Sequence, residues 1–257
     1  MKTQLNWELN DHLNLLVFMF GSILTGITFH IHLLERGINF SVNPPTTSQI
    51  FLESMRALGL SFPRLAEDIY TILVITGVLL SSLTLRYDKD TRLAMSIYSL
   101  PVKNYKLVLT KFIASFILLF LSVIIPFFLT LFYTYGDAPN LLKGALFGEG
   151  FFISYFMFWL LACVYVISLS SLIAELSPNL FASLLGGITL LYLPKILNIT
   201  YLPPAVLNSA FLTSQTAFGS VAQKVLMLVD KAFVSCILIP LVLLGMTLLI
   251  SEWRDVV

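Results

Sequence analysis

Charge is scarce in this chain of 257 residues. Only 11% of the residues are charged and 58% are hydrophobic, whereas a soluble domain carries roughly 25% charged residues. Fifteen Lys and Arg stand against 14 Asp and Glu, so the net charge of +1 favours neither nucleic acid nor an acidic substrate as a partner. The composition therefore predicts an integral membrane protein that contacts lipid and does not bind nucleic acid.

Cysteine and histidine are also rare. The two cysteines, Cys163 and Cys236, lie in separate apolar segments, which argues against a disulfide framework and predicts two small core residues. His30 and His32 are two positions apart and would point to different faces of a helix, so we expect hydrogen-bonded side chains and not metal ligands. The sequence predicts no metal site and no cofactor in this chain.

Motifs for catalysis or nucleotide binding are missing as well. The sequence contains no G-x-x-x-x-G-K-[ST] phosphate loop, no H-E-x-x-H pair and no G-x-S-x-G elbow. No Asp or Glu falls in the middle of an apolar segment, which argues against an ion-coupled carrier. We therefore expect that the chain is not an enzyme. In particular, it lacks the nucleophile and the general base that an intramembrane enzyme would need.

What the sequence does contain is a series of long apolar segments. A membrane-spanning helix needs about 20 mostly apolar residues. Six segments approach or reach that length: Leu13–Leu34, Ile69–Leu85, Phe112–Tyr133, Gly150–Leu172, Leu180–Ile196 and Ala232–Ile250. The sequence thus predicts an all-α integral membrane fold with six transmembrane helices, in which residues 1–257 form a single membrane domain.

Positive charge concentrates in the loop between the second and third segments. Lys and Arg are retained on the cytoplasmic side of a membrane protein. Six of the 15 basic residues fall in this loop: Arg86, Lys89, Arg92, Lys103, Lys106 and Lys111. We expect the loop to face the cytosol, and an even number of spans then places both termini of this multi-pass cell-membrane protein in the cytosol.

Three shorter regions carry weaker helical patterns. Residues 1–12 place Trp7 among polar residues before the first span, which favours an interfacial helix, although a frayed polar tail fits too. In loop 86–106, Leu93, Ile97 and Leu100 recur at helical spacing, which predicts a short amphipathic helix that ends at Pro101. Residues 198–230 are too interrupted to span and too apolar for a solvated loop, so we expect external re-entrant helices there.

Small and polar residues within the spans favour close helix packing. They include the glycines Gly77, Gly186 and Gly187, and the hydroxyl-bearing residues Thr25, Thr28, Thr76, Ser81, Ser115, Ser122, Ser154, Ser168 and Thr189. Such residues let helices approach one another and form weak polar contacts between them. The many Phe residues suit either lipid contact or an apolar substrate path.

The loop also carries a family resemblance. Ser99-Leu100-Pro101-Val102, followed by Lys103 and later Lys111, is similar to the "S-L-P-V" run that leads into the third span of ABC transporter permeases of the type 2 exporter class (ABC-2). The order of the predicted elements resembles that family over nearly the full length. Arg92-Leu93 takes the place of the family's Gly-Thr pair and Met95 that of a Glu, so the chain looks like a divergent member.

The resemblance implies an assembly of two permeases, either two copies or a copy and a paralogue, with two ABC ATPase subunits. ATP and Mg would bind in the ATPase, and the chain would form the translocation path of an exporter. A cytosolic coupling helix would then contact the ATPase through Asp88, Asp90, Arg92, Leu93, Ile97, Tyr98 and Leu100. The apolar members would enter a groove on the ATPase and the charged members would lie at its rim.

Two alternatives remain open from the residues alone. The short helix could merely cover the bundle, and the chain could be a membrane anchor or force-transmitting scaffold that moves no solute. The substrate is not predicted, since the family handles drugs, lipids, peptides, glycans and ions. The Phe-rich spans favour a lipid-like or amphipathic solute.

Overall fold

The computed structural model describes residues 2–37, 65–87, 90, 104–135, 151–209 and 234–253. Within these ranges the regular secondary structure is entirely helical, and no strand is present. Seven helices carry the fold: α1 Lys2–Leu9, α2 His12–Gly37, α3 Leu65–Tyr87, α4 Asn104–Tyr135, α5 Phe151–Leu176, α6 Leu180–Ile196 and α7 Val234–Trp253. The last turn of α3, Ser82–Tyr87, and the first turn of α7, Val234–Leu238, are π-helical.

Five of these helices are long and apolar enough to cross a membrane, namely α2, α3, α4, α5 and α7. This confirms the predicted all-α, multi-pass membrane fold. Helix α6 begins and ends where the sequence predicts, but it has 17 residues. At 1.5 Å per residue it is about 25 Å long, which is less than the roughly 30 Å of a bilayer's hydrocarbon core. Six complete spans therefore remain a prediction.

Helices α3 and α5 form the centre of the bundle. Their apolar side chains are mostly buried, whereas α2 and α7 expose most of theirs. One aromatic cluster joins α2, α4 and α5: the ring of Trp159 lies 5.5 Å from that of Phe29 and 4.9 Å from that of Phe127. Tilted and edge-on rings at these separations add to the energy gained from burial.

Glycines bring α3 close to its neighbours, as predicted from the small residues in the spans. A Cβ atom added to Gly77 would lie 2.6 Å from Val166 Cγ1 on α5. On α6, a Cβ atom at Gly187 would lie 2.8 Å from Val78 Cγ1. Both distances are too short for real carbon contacts, so the helices can pack at this separation only because these residues have no side chain.

The two ends of the bundle can be told apart by their contacts. At one end, which we call the base, Leu85, Val108 and Ala174 form a small cluster with Leu248 near the end of α7. Helix α1 lies at the base too, because its Glu8 pairs with Lys111 of α4. At the far end, a hydrogen bond joins His32 to Asp68, and an exposed ion pair joins Lys195 to Glu67.

Several predicted features fall partly or wholly outside the described residues. The amphipathic helix over Leu93–Leu100 is wholly outside. Of residues 198–230, the structure describes 198–209, with one short helix at 205–209, so the re-entrant pair stays a prediction. Cys163 and Cys236 are free and fully buried, which confirms that they are core residues.

Candidate functional site

The last turns of α3 hold hydroxyl groups that bond to three other helices. Ser81 Oγ lies 2.8 Å from Ser170 Oγ on α5, and Ser82 Oγ lies 2.7 Å from Ser183 Oγ on α6. Thr84 Oγ1 lies 3.3 Å from Ser115 Oγ on α4. Neighbouring positions on a helix point in different directions, which is why residues so close in sequence reach different partners. The end of α3 is therefore bonded to α4, α5 and α6 in the buried interior.

Beyond these hydroxyls, two charged residues tie α3 to the start of α6. Arg86 Nε lies 2.9 Å from Asp90 Oδ1, and the Arg86 guanidinium also donates a hydrogen bond to the carbonyl of Pro178. Asp90 Oδ2 accepts a hydrogen bond of 2.7 Å from the backbone N–H of Leu180, the first residue of α6. We call Arg86, Asp90, Pro178 and Leu180 the α3–α6 clamp.

Local sequence explains why α6 begins beside this clamp. Asn179 is the N-cap residue, and its Oδ1 accepts a hydrogen bond of 2.8 Å from Ala182 N–H. The Asp90 carboxylate adds a negative charge at the same helix N-terminus, where the helix dipole favours it. The side chains of Asp90 and Asn179 thus accept hydrogen bonds from two N–H groups that the first turn of α6 leaves without helical partners.

Lys111 lies inside the base and not at its surface. Its side chain is buried, its Nζ donates a hydrogen bond of 2.5 Å to the Thr84 carbonyl oxygen, and Nζ lies 3.6 Å from Glu8 Oε1. The sequence predicts Lys111 as a marker of the cytosolic membrane edge. The structure gives it buried contacts with both α1 and α3, whereas Lys106, five residues earlier, is exposed.

Of the seven residues predicted to contact an ATPase, the structure describes Asp90. Both of its carboxylate oxygens take part in the α3–α6 clamp. The other six lie outside the described residues: Asp88, Arg92, Leu93, Ile97, Tyr98 and Leu100. The sequence held two signals for the clamp that the prediction did not use, namely the i, i+4 spacing of Arg86 and Asp90 and the helix-capping Asn179.

Among the described residues, the far end carries no comparable connection between buried groups. His32 Nε2 lies 2.9 Å from Asp68 Oδ2, which agrees with the predicted hydrogen-bonding role. Lys195 Nζ lies 3.1 Å from Glu67 Oε2, and both side chains are about half exposed. Exposed pairs of this kind contribute little to stability. Within the part of the chain that is described, no three His, Cys, Asp or Glu residues are placed to hold a metal ion.

Compared with protein families, curated proteins and solved structures, the chain matches none. Its function must therefore be inferred from the residues and their geometry. Among the described residues, a set of buried polar contacts between helices lies where α3 ends and α4 begins, on either side of the predicted cytosolic loop. These contacts join α3 to α4, α5 and α6 at the base.

Proposed function

We propose that the chain is the transmembrane subunit of an ATP-driven ABC exporter of the type 2 class. In this assembly a second copy or a paralogue completes the translocation path, and two separate ATPase subunits bind at the base. Two facts support the proposal: the Ser99-Leu100-Pro101-Val102 run with its basic neighbours, and the way the structure anchors both ends of the loop that contains it.

The observation that carries the proposal is the α3–α6 clamp. The loop that would meet the ATPase leaves α3 at Arg86 and enters α4 at Asn104, about two turns before Lys111. Arg86 and Lys111 both make polar contacts with neighbouring helices or segments. A push on this loop moves Asp90, and with it the start of α6, through the bond to Leu180 N–H. The serine and threonine bonds pass the same displacement to α4 and α5. Tightly packed helices respond to such a push by moving as rigid bodies.

The base is proposed to face the cytosol, since the basic loop emerges there. The two native cysteines are buried, so single cysteines introduced at exposed positions can report orientation. We expect a membrane-impermeant maleimide added to intact cells to label Tyr201→Cys at the far end and to spare Asn6→Cys on α1. Both positions should react once the membrane is permeabilised. The reverse pattern in intact cells contradicts the orientation.

Leu93→Asp tests the ATPase contact directly. A carboxylate in an apolar groove of the partner has to be desolvated without a counter-charge, so retention of the ATPase during purification should fall by roughly tenfold or more. The matched control is Leu197→Asp, the same change at an exposed residue of the far end, which should leave assembly intact. Leu93→Asp with normal assembly and normal transport contradicts the contact.

An anchor that recruits an ATPase without moving a solute would use the same clamp to hold its base rigid. An assay in proteoliposomes that contain the chain with its ATPase distinguishes the exporter from the scaffold. An exporter moves an amphipathic solute across the bilayer when ATP is added, and its ATPase rate rises with that solute. A scaffold assembles and hydrolyses ATP at a rate that no solute changes.

A further inference from the structure

Tyr70 of α3 places a hydroxyl group in the buried core of the bundle. Its side chain is 1% exposed, and its neighbours Ile69 and Leu73 are fully buried as well. Among the described residues, no group forms a hydrogen bond with the Tyr70 hydroxyl. A buried hydroxyl without a partner destabilises a fold, and almost all such groups in folded proteins have one. We therefore looked for a partner beside Tyr70.

Side chains from three other helices lie near this hydroxyl. Tyr165 of α5, Tyr192 of α6 and Cys236 of α7 are close enough to interact with Tyr70 electrostatically. Tyr165 and Cys236 are 4% and 0% exposed, and phenols and thiols are uncharged at neutral pH. A charged ligand would have to be desolvated beside these groups without a counter-charge. The surroundings of Tyr70 therefore favour an uncharged ligand.

The first turn of α7 supplies a backbone acceptor at the same place. This turn, Val234–Leu238, is π-helical, and Pro240 follows it in the α-helical part of α7. Proline has no N–H group to donate. The carbonyl that position 240 would reach therefore has no helical donor, and it belongs to Ser235 in the π-helical pattern or to Cys236 in the α-helical one. We call it the free carbonyl of α7.

The same turn of α7 also borders the outside of the bundle. Val234 and Leu238 are 60% and 44% exposed, whereas Cys236, between them in sequence, is buried. One face of the turn thus meets the core that contains Tyr70, and the other face meets lipid. A molecule that reaches Tyr70 from the bilayer has only this turn to pass.

We propose that Tyr70 and the first turn of α7 bind the hydroxyl group of an uncharged amphipathic lipid, of the class of long-chain alcohols and acylglycerols. The ligand's oxygen accepts a hydrogen bond from the Tyr70 hydroxyl, and its own O–H donates to the free carbonyl of α7. Its hydrocarbon chain passes the exposed face of the turn into the bilayer. The site belongs to the chain itself and does not depend on the proposed exporter function.

The test uses the full chain in nanodiscs without any ATPase, and hexadecanol with a photoreactive diazirine near its hydroxyl end as the probe. We expect mass spectrometry to map the cross-links to α3 around Tyr70 and to Val234–Leu238. Unlabelled hexadecanol should compete for them, whereas hexadecane, which lacks the hydroxyl, should not. Tyr70→Phe should lower the labelling by roughly fivefold or more, because phenylalanine cannot donate the hydrogen bond.

Pro240→Ala tests the free carbonyl separately. Alanine supplies the missing N–H, so the carbonyl gains a helical donor, and labelling should fall although alanine is the better helix former. Tyr133→Phe is the matched control, since it makes the same change as Tyr70→Phe at an exposed residue of α4, and it should leave the labelling unchanged.

The apparent Tm separates a binding role for Tyr70 from a structural one. Tyr70→Phe removes a buried hydroxyl that has no partner among the described residues, so its Tm without the alcohol should equal or exceed that of the parent. A bound alcohol should raise the Tm of the parent but not that of Tyr70→Phe. Labelling that survives in Tyr70→Phe, or for which hexadecane competes equally well, overturns the proposal. Absence of cross-links at both places, as expected if a water molecule binds there instead, overturns it too.

Discussion

In the exporter that we propose, an Asp90→Ala variant is expected to keep the ATPase subunits bound and yet to lose most of its transport. The carboxylate of Asp90 has both of its contacts within the chain: it forms an ion pair with Arg86, whose Nε lies 2.9 Å away, and it accepts a hydrogen bond of 2.7 Å from Leu180 N–H. Removing it frees the start of α6 from the end of α3 without changing Leu93, Ile97 or Leu100, which the sequence predicts to form the apolar face of the loop. A hydrogen bond to a charged group is worth about 1.5–3 kcal/mol, so solute moved per ATP hydrolysed should fall by roughly tenfold or more.

The measurement pairs ATPase rate with solute uptake in the same proteoliposomes. Asp90→Asn should fall in between, because its amide oxygen can still accept from Leu180 N–H without the charge. Asp68→Ala is the control, since it removes a carboxylate from the far end, where Asp68 pairs with His32. Loss of the ATPase from the Asp90→Ala complex would instead place Asp90 in the partner contact, as the sequence alone predicts.

A Gly77→Ala variant is expected to be markedly destabilised, although alanine is the better helix former. The new methyl group would lie 2.6 Å from Val166 Cγ1 and 3.1 Å from Leu119 Cδ2. Val166 and Leu119 are both fully buried, so neither can move without displacing its own neighbours. Overpacking of this kind costs about 1–3 kcal/mol, and the apparent Tm in detergent should fall accordingly.

Two further variants separate overpacking from other effects of the substitution. Gly245→Ala makes the same change on α7 at a position where, among the described residues, no atom of another segment lies within 4 Å of the new methyl group. This variant should leave the Tm unchanged or raise it slightly. Gly77→Ala combined with Val166→Ala should recover much of the lost stability, because the second change removes the clashing methyl groups. A Gly77→Ala variant as stable as the parent would mean that α3 and α5 can move apart at this point.

Helix positions were predicted well because apolar runs report burial in lipid almost directly. The predicted segment Leu180–Ile196 coincides with α6, and Leu13–Leu34 falls within α2. Predicted spans were too short where the helix extends beyond its apolar part. Helix α4 begins at Asn104, eight residues before the predicted start at Phe112, because polar residues such as Tyr105 and Lys106 also form helix outside the hydrocarbon region.

The contacts of the base could not be predicted in the same way. The bond between Asp90 and Leu180, and the pair formed by Glu8 and Lys111, join residues about a hundred positions apart. Periodicity reports which face of one helix is buried but not which helix covers it. Lys111 shows the limit most clearly: charge counting predicts that it lies at the cytosolic membrane edge but does not predict that its side chain is buried there, in contact with Glu8 of α1 and the Thr84 carbonyl.

Helix α6 is shorter than each of the five helices that are long enough to cross a membrane, so a change in membrane thickness affects it differently. Phe181 and Leu193 are exposed on a helix about 25 Å long. If α6 is the sixth span that the sequence predicts, the bilayer on that side has to thin by several ångströms or take the polar residues that flank α6 into its hydrocarbon core. Each ångström of such mismatch costs a fraction of a kcal/mol. Since Leu180 N–H at the N-terminus of α6 donates a hydrogen bond to Asp90, a change in the acyl-chain length of the surrounding lipid would then act on Asp90, the residue that connects the predicted cytosolic loop to α6.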